Sequence, residues 1–323
     1  MLGRLMRTSF ISLSKAAWAK RLITGWGLAW RAASRFVAGD TLEKALPAIR
    51  GLNERGINAT LDFLGESTTR PEEARAAVAE LIRVLEAIDT AGLRCNVSVK
   101  LTQIGLLLDE ALVRENLANL LSRARALHTF VRIDMEDSPV TQRTLDLYNW
   151  AREQGFDNTG VVLQSYLYRT EADLSSVVEQ GGRVRLVKGA YDEPAAVAFP
   201  KKEQVDASYD HLTTLLLEGA LKAGAPQISP DGRVPPIPAI ATHDLARVQH
   251  AQAEVKRLGL PRGAGEFQML YGIRRDLQDG LVAQGYPVRV YVPYGTQWYA
   301  YFMRRLAERP ANVWFFISNF FRK

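Results

Sequence analysis

From about residue 57 onward the chain alternates short apolar, β-rich runs with longer stretches of helical period. The runs cover residues 57–64, 94–101, 129–135, 160–165, 184–188, 237–242, 266–270 and 288–292. Helical patterns follow them at about 71–91, 110–127, 139–154, 171–180, 202–223, 244–258, 272–284 and 296–308. Pro71 and Pro139 sit where a first helical turn tolerates proline, Asp109 precedes Glu110 as a cap, and Gly92 and Gly155 mark helix ends. Eight strand–helix units in roughly 250 residues predict an α/β fold, a closed (βα)8 barrel of the TIM type. A doubly wound open sheet shows the same alternation, but its G-x-G-x-x-G fingerprint does not follow the first run. No Pro/Gly/Ser-rich linker divides the body; Pro235, Pro236 and Pro238 mark only the loop into the sixth run. The expected division is residues 1–56, a basic amphipathic helical arm or cap, and residues 57–323, a barrel domain with an apolar C-terminal tail.

The arm changes what the net charge means. The chain has 323 residues and a formal charge of +6. Residues 1–39 hold Arg4, Arg7, Lys15, Lys20, Arg21, Arg31 and Arg35 and no acid, which leaves 34 basic against 35 acidic residues elsewhere. The body is neutral, so a nucleic-acid footprint on it is disfavoured. No apolar run reaches the 18 or so residues of a spanning helix. The arm interleaves Leu2, Leu5, Met6, Phe10, Ile11, Trp18, Leu22, Trp26, Leu28 and Trp30 with its cations. That pattern suits an intramolecular cap, a helix lying on a membrane surface, or a targeting segment. The tail, with Trp314, Phe315, Phe316, Phe320 and Phe321, suits core packing, a homo-oligomer contact or a membrane. Cys95 is the one cysteine, which excludes an internal disulfide and fits a reducing compartment; beside an apolar run it reads as a buried thiol.

A barrel strand is buried and is expected to read as nearly continuous Val, Ile and Leu. Here most runs finish on a polar group. Lys100 ends Val97-Ser98-Val99, Asp134 ends Phe130-Val131-Arg132-Ile133, Gln164 follows Val161-Val162-Leu163, and Lys188 follows Leu186-Val187. Thr242-His243 follows Ala239-Ile240-Ala241, and Tyr291 stands near the end of the eighth run. Barrel active sites are built at this C-terminal rim. Each residue alone reads as a cap or a satisfied rim group; together they argue for a site. H-E-x-x-H, CxxC, P-loop and G-x-S-x-G patterns are missing, and His128, His211 and His250 fall on helical segments or their ends, so no metal site is expected.

Cations (Lys100, Arg304, Arg305) beside an acid (Asp134) and phenols (Tyr291, Tyr301) suit a small amphoteric substrate. In Lys188-Gly189-Ala190-Tyr191 the glycine lets a backbone approach a flat cofactor closely. Near the C-terminus, Tyr301, Arg304, Arg305 and Glu308 share one helical stripe about 100° wide, opposite Phe302, Met303, Leu306 and Ala307. On residues alone that stripe is either an anion grip or a solvated face laced by Arg–Glu pairs.

Six segments in order carry a family resemblance. They are Val97-Ser98-Val99-Lys100-Leu101-Thr102, Arg132-Ile133-Asp134-Met135-Glu136, Arg185-Leu186-Val187-Lys188-Gly189-Ala190-Tyr191, Ala241-Thr242-His243-Asp244, Glu266-Phe267-Gln268-Met269-Leu270-Tyr271-Gly272 and Tyr301-x-x-Arg304-Arg305-x-x-Glu308. Over about residues 57–312 the chain resembles flavin-dependent proline dehydrogenases, the monofunctional bacterial type above all. The resemblance implies a distorted (βα)8 barrel whose last helix lies over the barrel mouth, turning the Tyr301/Arg304/Arg305 face inward. It implies FAD as cofactor and hydride transfer from L-proline to flavin N5, giving 1-pyrroline-5-carboxylate, the first step of proline catabolism.

By the same resemblance Arg304, Arg305 and Lys100 would hold the substrate carboxylate, and Asp134 would balance Lys100. Leu270 and Tyr291 would pack on the ring, with Tyr301 completing the wall. FAD would contact Gln164, Arg185, Lys188, Gly189, Ala190, Thr242, His243 and Glu308. Electrons would pass to a membrane quinone, and a separate pyrroline-5-carboxylate dehydrogenase would take the product further. A cytoplasmic protein, peripheral at the inner face of the cytoplasmic membrane, is the corresponding expectation. A related flavin barrel such as a methylenetetrahydrofolate reductase, and a flavin-free membrane-surface binding module, are the rival readings. The paired arginines and Tyr301 favour a compact amino acid over a folate.

Overall fold

The computed structural model describes residues 27–65 and 67–308, and the side chains of 29–65 and 67–306. Trp18 and Trp26 of the arm, the aromatic tail from Trp314 and the Glu308 side chain lie outside the described residues. Eight parallel strands close in sequence order: β1 (Asn58–Phe63), β2 (Cys95–Lys100), β3 (Val131–Asp134), β4 (Thr159–Gln164), β5 (Arg183–Val187), β6 (Pro238–Ala241), β7 (Glu266–Leu270) and β8 (Val288–Tyr294). β8 pairs back onto β1, so the sheet has no edge. The expected barrel is the fold.

The strands do not read as continuous aliphatics, and the barrel shows why. Ala59, Leu61, Cys95, Val97, Val99, Val131, Ile133, Val161, Leu163, Val184 and Leu186 join the main apolar core. Between them, at period two, stand Thr60, Asp62, Asn96, Ser98, Lys100, Arg132, Asp134, Arg185, Glu266, Gln268, Arg289 and Tyr291. Strand register sets them side by side: Lys100 beside Asp134, Ser98 beside Arg132, Gln268 beside Arg289, and Tyr291 beside Thr60. These side chains bond across the barrel, so its interior is largely polar and its outer wall apolar. Buried polar groups are tolerated when they satisfy one another. At the lower end the loop before β6 closes the barrel: Arg289 donates to the Gly232 carbonyl at 2.6 Å and Asn96 to that of Arg233 at 2.9 Å.

Among the described residues two helices precede β1, α1 (Gly27–Ala33) and α2 (Leu42–Glu54). Eight more follow: α3 (Pro71–Thr90), α4 (Glu110–Ala126), α5 (Ser138–Glu153), α6 (Thr170–Glu179), α7 (Lys202–Lys222), α8 (Leu245–Arg257), α9 (Arg275–Ala283) and α10 (Trp298–Glu308). α9 begins later than the pattern at 272 suggests, because Gly272 (φ +76°) and Arg274 (φ +52°) are left-handed.

Grouped on sequence with the arm, residues 42–54 are α2, which packs on β1 and β8 and places Leu42, Ala45, Ile49 and Leu52 in the main core. It thereby occupies the outer position beside the β8–β1 seam that the last helix of a regular barrel would take. α10 instead joins a second core with α1 and with Leu64, just past the end of β1. Its helix lies over the barrel mouth, as the resemblance implies. Cys95 is fully buried, and burial pushes its thiol up to about 12.

Candidate active site

Asp134 is the hub of the mouth. Its Oδ1 accepts from Ser98 Oγ at 2.7 Å and from Arg185 Nη1 at 2.9 Å, and its Oδ2 accepts from Tyr291 OH at 2.7 Å. Lys100 Nζ lies 3.6 Å from Asp134 Oδ2 but donates to Asp62 Oδ1 at 2.9 Å and to Tyr291 OH at 3.4 Å. So Asp134 answers Arg185 more closely than Lys100, and Asp62 is the nearer anion to Lys100. The Arg185 guanidinium stands 5.3 Å from the Tyr291 ring centroid and donates through Nε to Gln268 Oε1 at 2.5 Å.

Burial alone would raise the Asp134 carboxyl, but Lys100 and Arg185 draw it below its ordinary value. Burial would likewise strip Lys100 of its proton, yet Asp62 and Asp134 hold it charged. Burial and the Asp134 charge push the Tyr291 phenol well up, so it serves as a neutral donor. Strong coupling makes this cluster one titrating unit rather than separate acids and bases.

On the β4–β7 side the rim offers donors and bare backbone. Gln164 Nε2 donates to the Glu136 carbonyl at 2.9 Å. Lys188 Nζ is held by Asp206 at 2.5 Å and Asp244 at 2.9 Å. Gly189 has φ +116°, and a Cβ there would meet the Tyr166 ring at 2.5 Å. Only glycine fits, so the rim backbone packs directly on the Tyr166 ring here. Thr242 Oγ1 accepts from the Asp244 N–H at 3.1 Å, and His243 Nε2 accepts from the Leu270 N–H at 3.0 Å, which places the ring proton on Nδ1. Ala190 and Leu270 are half-buried at the same rim.

From α10, Tyr301 is buried, Arg304 and Arg305 are half-buried, and the Arg305 guanidinium lies 5.1 Å from the Tyr301 ring centroid. Phe302, Met303 and Leu306 are buried on the other side, so among the described side chains of α10 none is fully exposed on the stripe. Burial and Glu136 push the Tyr191 phenol, in the loop after β5, up to about 12, against the pull of Arg304 and Lys100.

Lys100, Asp134, Arg185 and Tyr291 thus share one bonded network, with Tyr301, Arg304 and Arg305 on the helix across the mouth. Gln164, Lys188, Gly189, Ala190, Thr242, His243 and Leu270 line the strand ends. Sequence reasoning did not single out Asp62, Ser98 or Gln268. Ser98 and Gln268 carried a signal, a polar residue two places before a strand end and in phase with it, whereas Asp62 stands one place before the end of β1 and carried none.

A (βα)8 barrel with a buried, charge-paired mouth defines a class of enzyme built for a small charged substrate. The model of the family described as Proline dehydrogenase matches residues 45–317, and the chain belongs to that family. Proline dehydrogenase 2 of Bacillus subtilis (strain 168) is 39% identical over 98% of this chain and 99% of its own. Proline dehydrogenase of Deinococcus radiodurans is 40% identical over 90% of each. Among solved structures, proline utilization A of Bdellovibrio bacteriovorus, inactivated by N-propargylglycine, superposes with a TM-score of 0.78 at 26% identity, over 88% of this chain. The chain spans 33% of that larger protein.

Proposed function

We propose that the protein oxidises L-proline to 1-pyrroline-5-carboxylate with FAD as its resident cofactor and a membrane quinone as final acceptor. The observation that supports this best is the Lys100/Asp62/Asp134/Arg185/Tyr291 network facing two consecutive guanidiniums on α10. The donor set suits FAD: Arg185 and Lys188 are cations for an anionic group, Gln164 and Thr242 are neutral partners, and Gly189 is a half-buried rim position that carries no side chain. FAD, when bound, supplies the hydride acceptor at N5. The rest is the chain's own part.

Arg304 and Arg305, with Lys100, hold the proline carboxylate; planar guanidiniums bind it by paired, directional bonds. Asp62 and Asp134 keep Lys100 protonated and Arg185 fixed, so the cations stay put as substrate enters. Leu270 and Tyr291 brace the ring, and Tyr301 closes the wall. Orientation of the reacting carbon to about 3–3.5 Å from its acceptor is the main rate gain such a site can give. Asp134 is no ready base for the amine proton, since Oδ1 and Oδ2 are both committed. A partner enzyme that oxidises pyrroline-5-carboxylate completes the scheme. The proteins named bifunctional PutA, of which this chain spans 23% in the Escherichia coli case, fit that pairing.

Purified protein is expected to show a flavin absorbance band that bleaches on anaerobic addition of L-proline and returns on adding a quinone. A band that persists with proline removes the substrate assignment; no band after adding FAD removes the flavin. Among the described residues no helix is long and apolar enough to cross a membrane. The basic, aromatic residues 1–26 and the aromatic tail are the segments we assign to contact with the quinone's bilayer. Deleting residues 1–26 is expected to abolish cosedimentation with anionic vesicles, and unchanged cosedimentation removes that role from the arm.

A further inference from the structure

We propose that residues 30–39 form a clasp that fixes α10 over the barrel mouth, with Trp30 and Phe36 as positioning residues for the Arg304/Arg305 clamp. The clamp's role rests on the proline reading above; the clasp itself is a statement about α10.

Three kinds of contact fasten the segment. The first is aromatic: the Trp30 and Trp298 rings meet edge-on at 5.5 Å, Phe36 meets Phe302 at 6.4 Å, and Trp298 meets Phe302 at 6.0 Å. Trp298 and Phe302 are one turn apart, so Trp30 and Phe36 grip a single face of α10. The second is backbone. The Ala38 N–H donates to the Pro293 carbonyl and the Gly295 N–H to that of Gly39, both at 2.9 Å, which pins the β8–α10 turn from both sides. The third is close approach. Gly272 has φ +76°, and a Cβ there would lie 1.9 Å from the Arg35 carbonyl oxygen, so the arm backbone rests directly on the β7–α9 loop. A side chain at 272 would lift it off.

The second core makes the dependence plain. Ala33, Phe36 and Val37 from the arm are buried with Trp298, Tyr299, Tyr301, Phe302, Met303 and Leu306, and Leu64 is the barrel's own buried contribution. The outer seam a final helix would occupy is filled by α2. Without the arm, α10 would keep its covalent tether to β8 but lose the cover of its apolar face. Trp30, a membrane candidate on sequence, is committed within the molecule. Among the described residues this apolar stripe is covered mainly by a short segment, which can be displaced as a unit, and displacement carries both guanidiniums with it. A shift of about an ångström in binding groups is enough to cost a hundredfold. Substrate affinity should respond to the arm, while the barrel-floor network should not.

The test uses full-length Phe36→Ala and Trp30→Ala, with Phe36→Leu and Trp30→Phe as milder partners that retain apolar bulk. Three quantities are read: flavin content, binding of tetrahydrofuran-2-carboxylate by flavin absorbance, and hydrogen exchange of the α10 amides against those of the β strands. Expected is a loss of ligand affinity of about tenfold or more in the alanine variants, restored by Leu or Phe, with unchanged flavin content. Exchange should rise in α10 alone. Combining Phe36→Ala with Arg304→Ala should cost less than the product of the two losses, since both act through one clamp. Unchanged α10 exchange overturns the clasp whatever the ligand, and so does exchange that rises equally in the strands. A wild type that binds neither proline nor the analogue overturns the proline reading and leaves the exchange result to decide the clasp.

Discussion

Replacing Arg305 by alanine is expected to raise KM for L-proline by roughly ten- to a hundredfold, with flavin content and fold intact. A hydrogen bond to a charged partner contributes about 1.5–3 kcal/mol, and each 1.4 kcal/mol is about tenfold in affinity. Arg304→Ala should do the same. The carboxylate is present before and after hydride leaves, so the interaction is uniform binding and kcat should fall far less than kcat/KM. Lysine at 305 keeps the charge but loses the flat fork and the stacking on Tyr301, whose ring centroid lies 5.1 Å from the guanidinium. It should recover only part of the loss. Steady-state kinetics on both variants decides the matter: an unchanged KM removes α10 from the substrate site.

The barrel was legible because eight runs and eight helical periods leave few other architectures, and because closing the sheet needs only neighbouring strands to pair in order. The mouth was half legible. Lys100, Asp134 and Gln164 stand at strand ends, where a polar residue interrupts an apolar run. Asp62 was not visible as Lys100's partner, because Thr60-Leu61-Asp62-Phe63 reads as an ordinary mixed segment. Only the β1–β2 register and Lys100's length bring the pair to 2.9 Å. The place of α2 was hidden for a different reason. A segment before the first strand can fill the β8–β1 seam only once the barrel is closed, and local periodicity carries no information on closure. Nor could composition tell Trp30, which packs on Trp298, from a tryptophan meant for a lipid surface.

The inward alternation itself leads to the largest expected loss of stability. Arg289 and Glu266 are 1% and 0% exposed and meet through two bonds, Nε to Oε1 at 2.8 Å and Nη2 to Oε2 at 3.0 Å. Arg289→Met would leave the Glu266 carboxylate buried opposite a thioether, and breaking a buried pair from one side costs about 3–5 kcal/mol. Domains are commonly stable by only about 5–15 kcal/mol, so the urea midpoint should drop sharply. Adding Glu266→Leu to Arg289→Met removes the stranded charge, and most of the stability should return. Activity should not return with it. Gln268 donates to Glu266 Oε1 at 2.6 Å and accepts from Arg185 Nε at 2.5 Å, so Glu266 sets which way that amide faces Arg185, and Arg185 in turn holds Asp134. A double variant that regained both stability and full turnover would show that this column only fills the barrel. One that regained stability alone would show that the floor of the barrel orients its mouth.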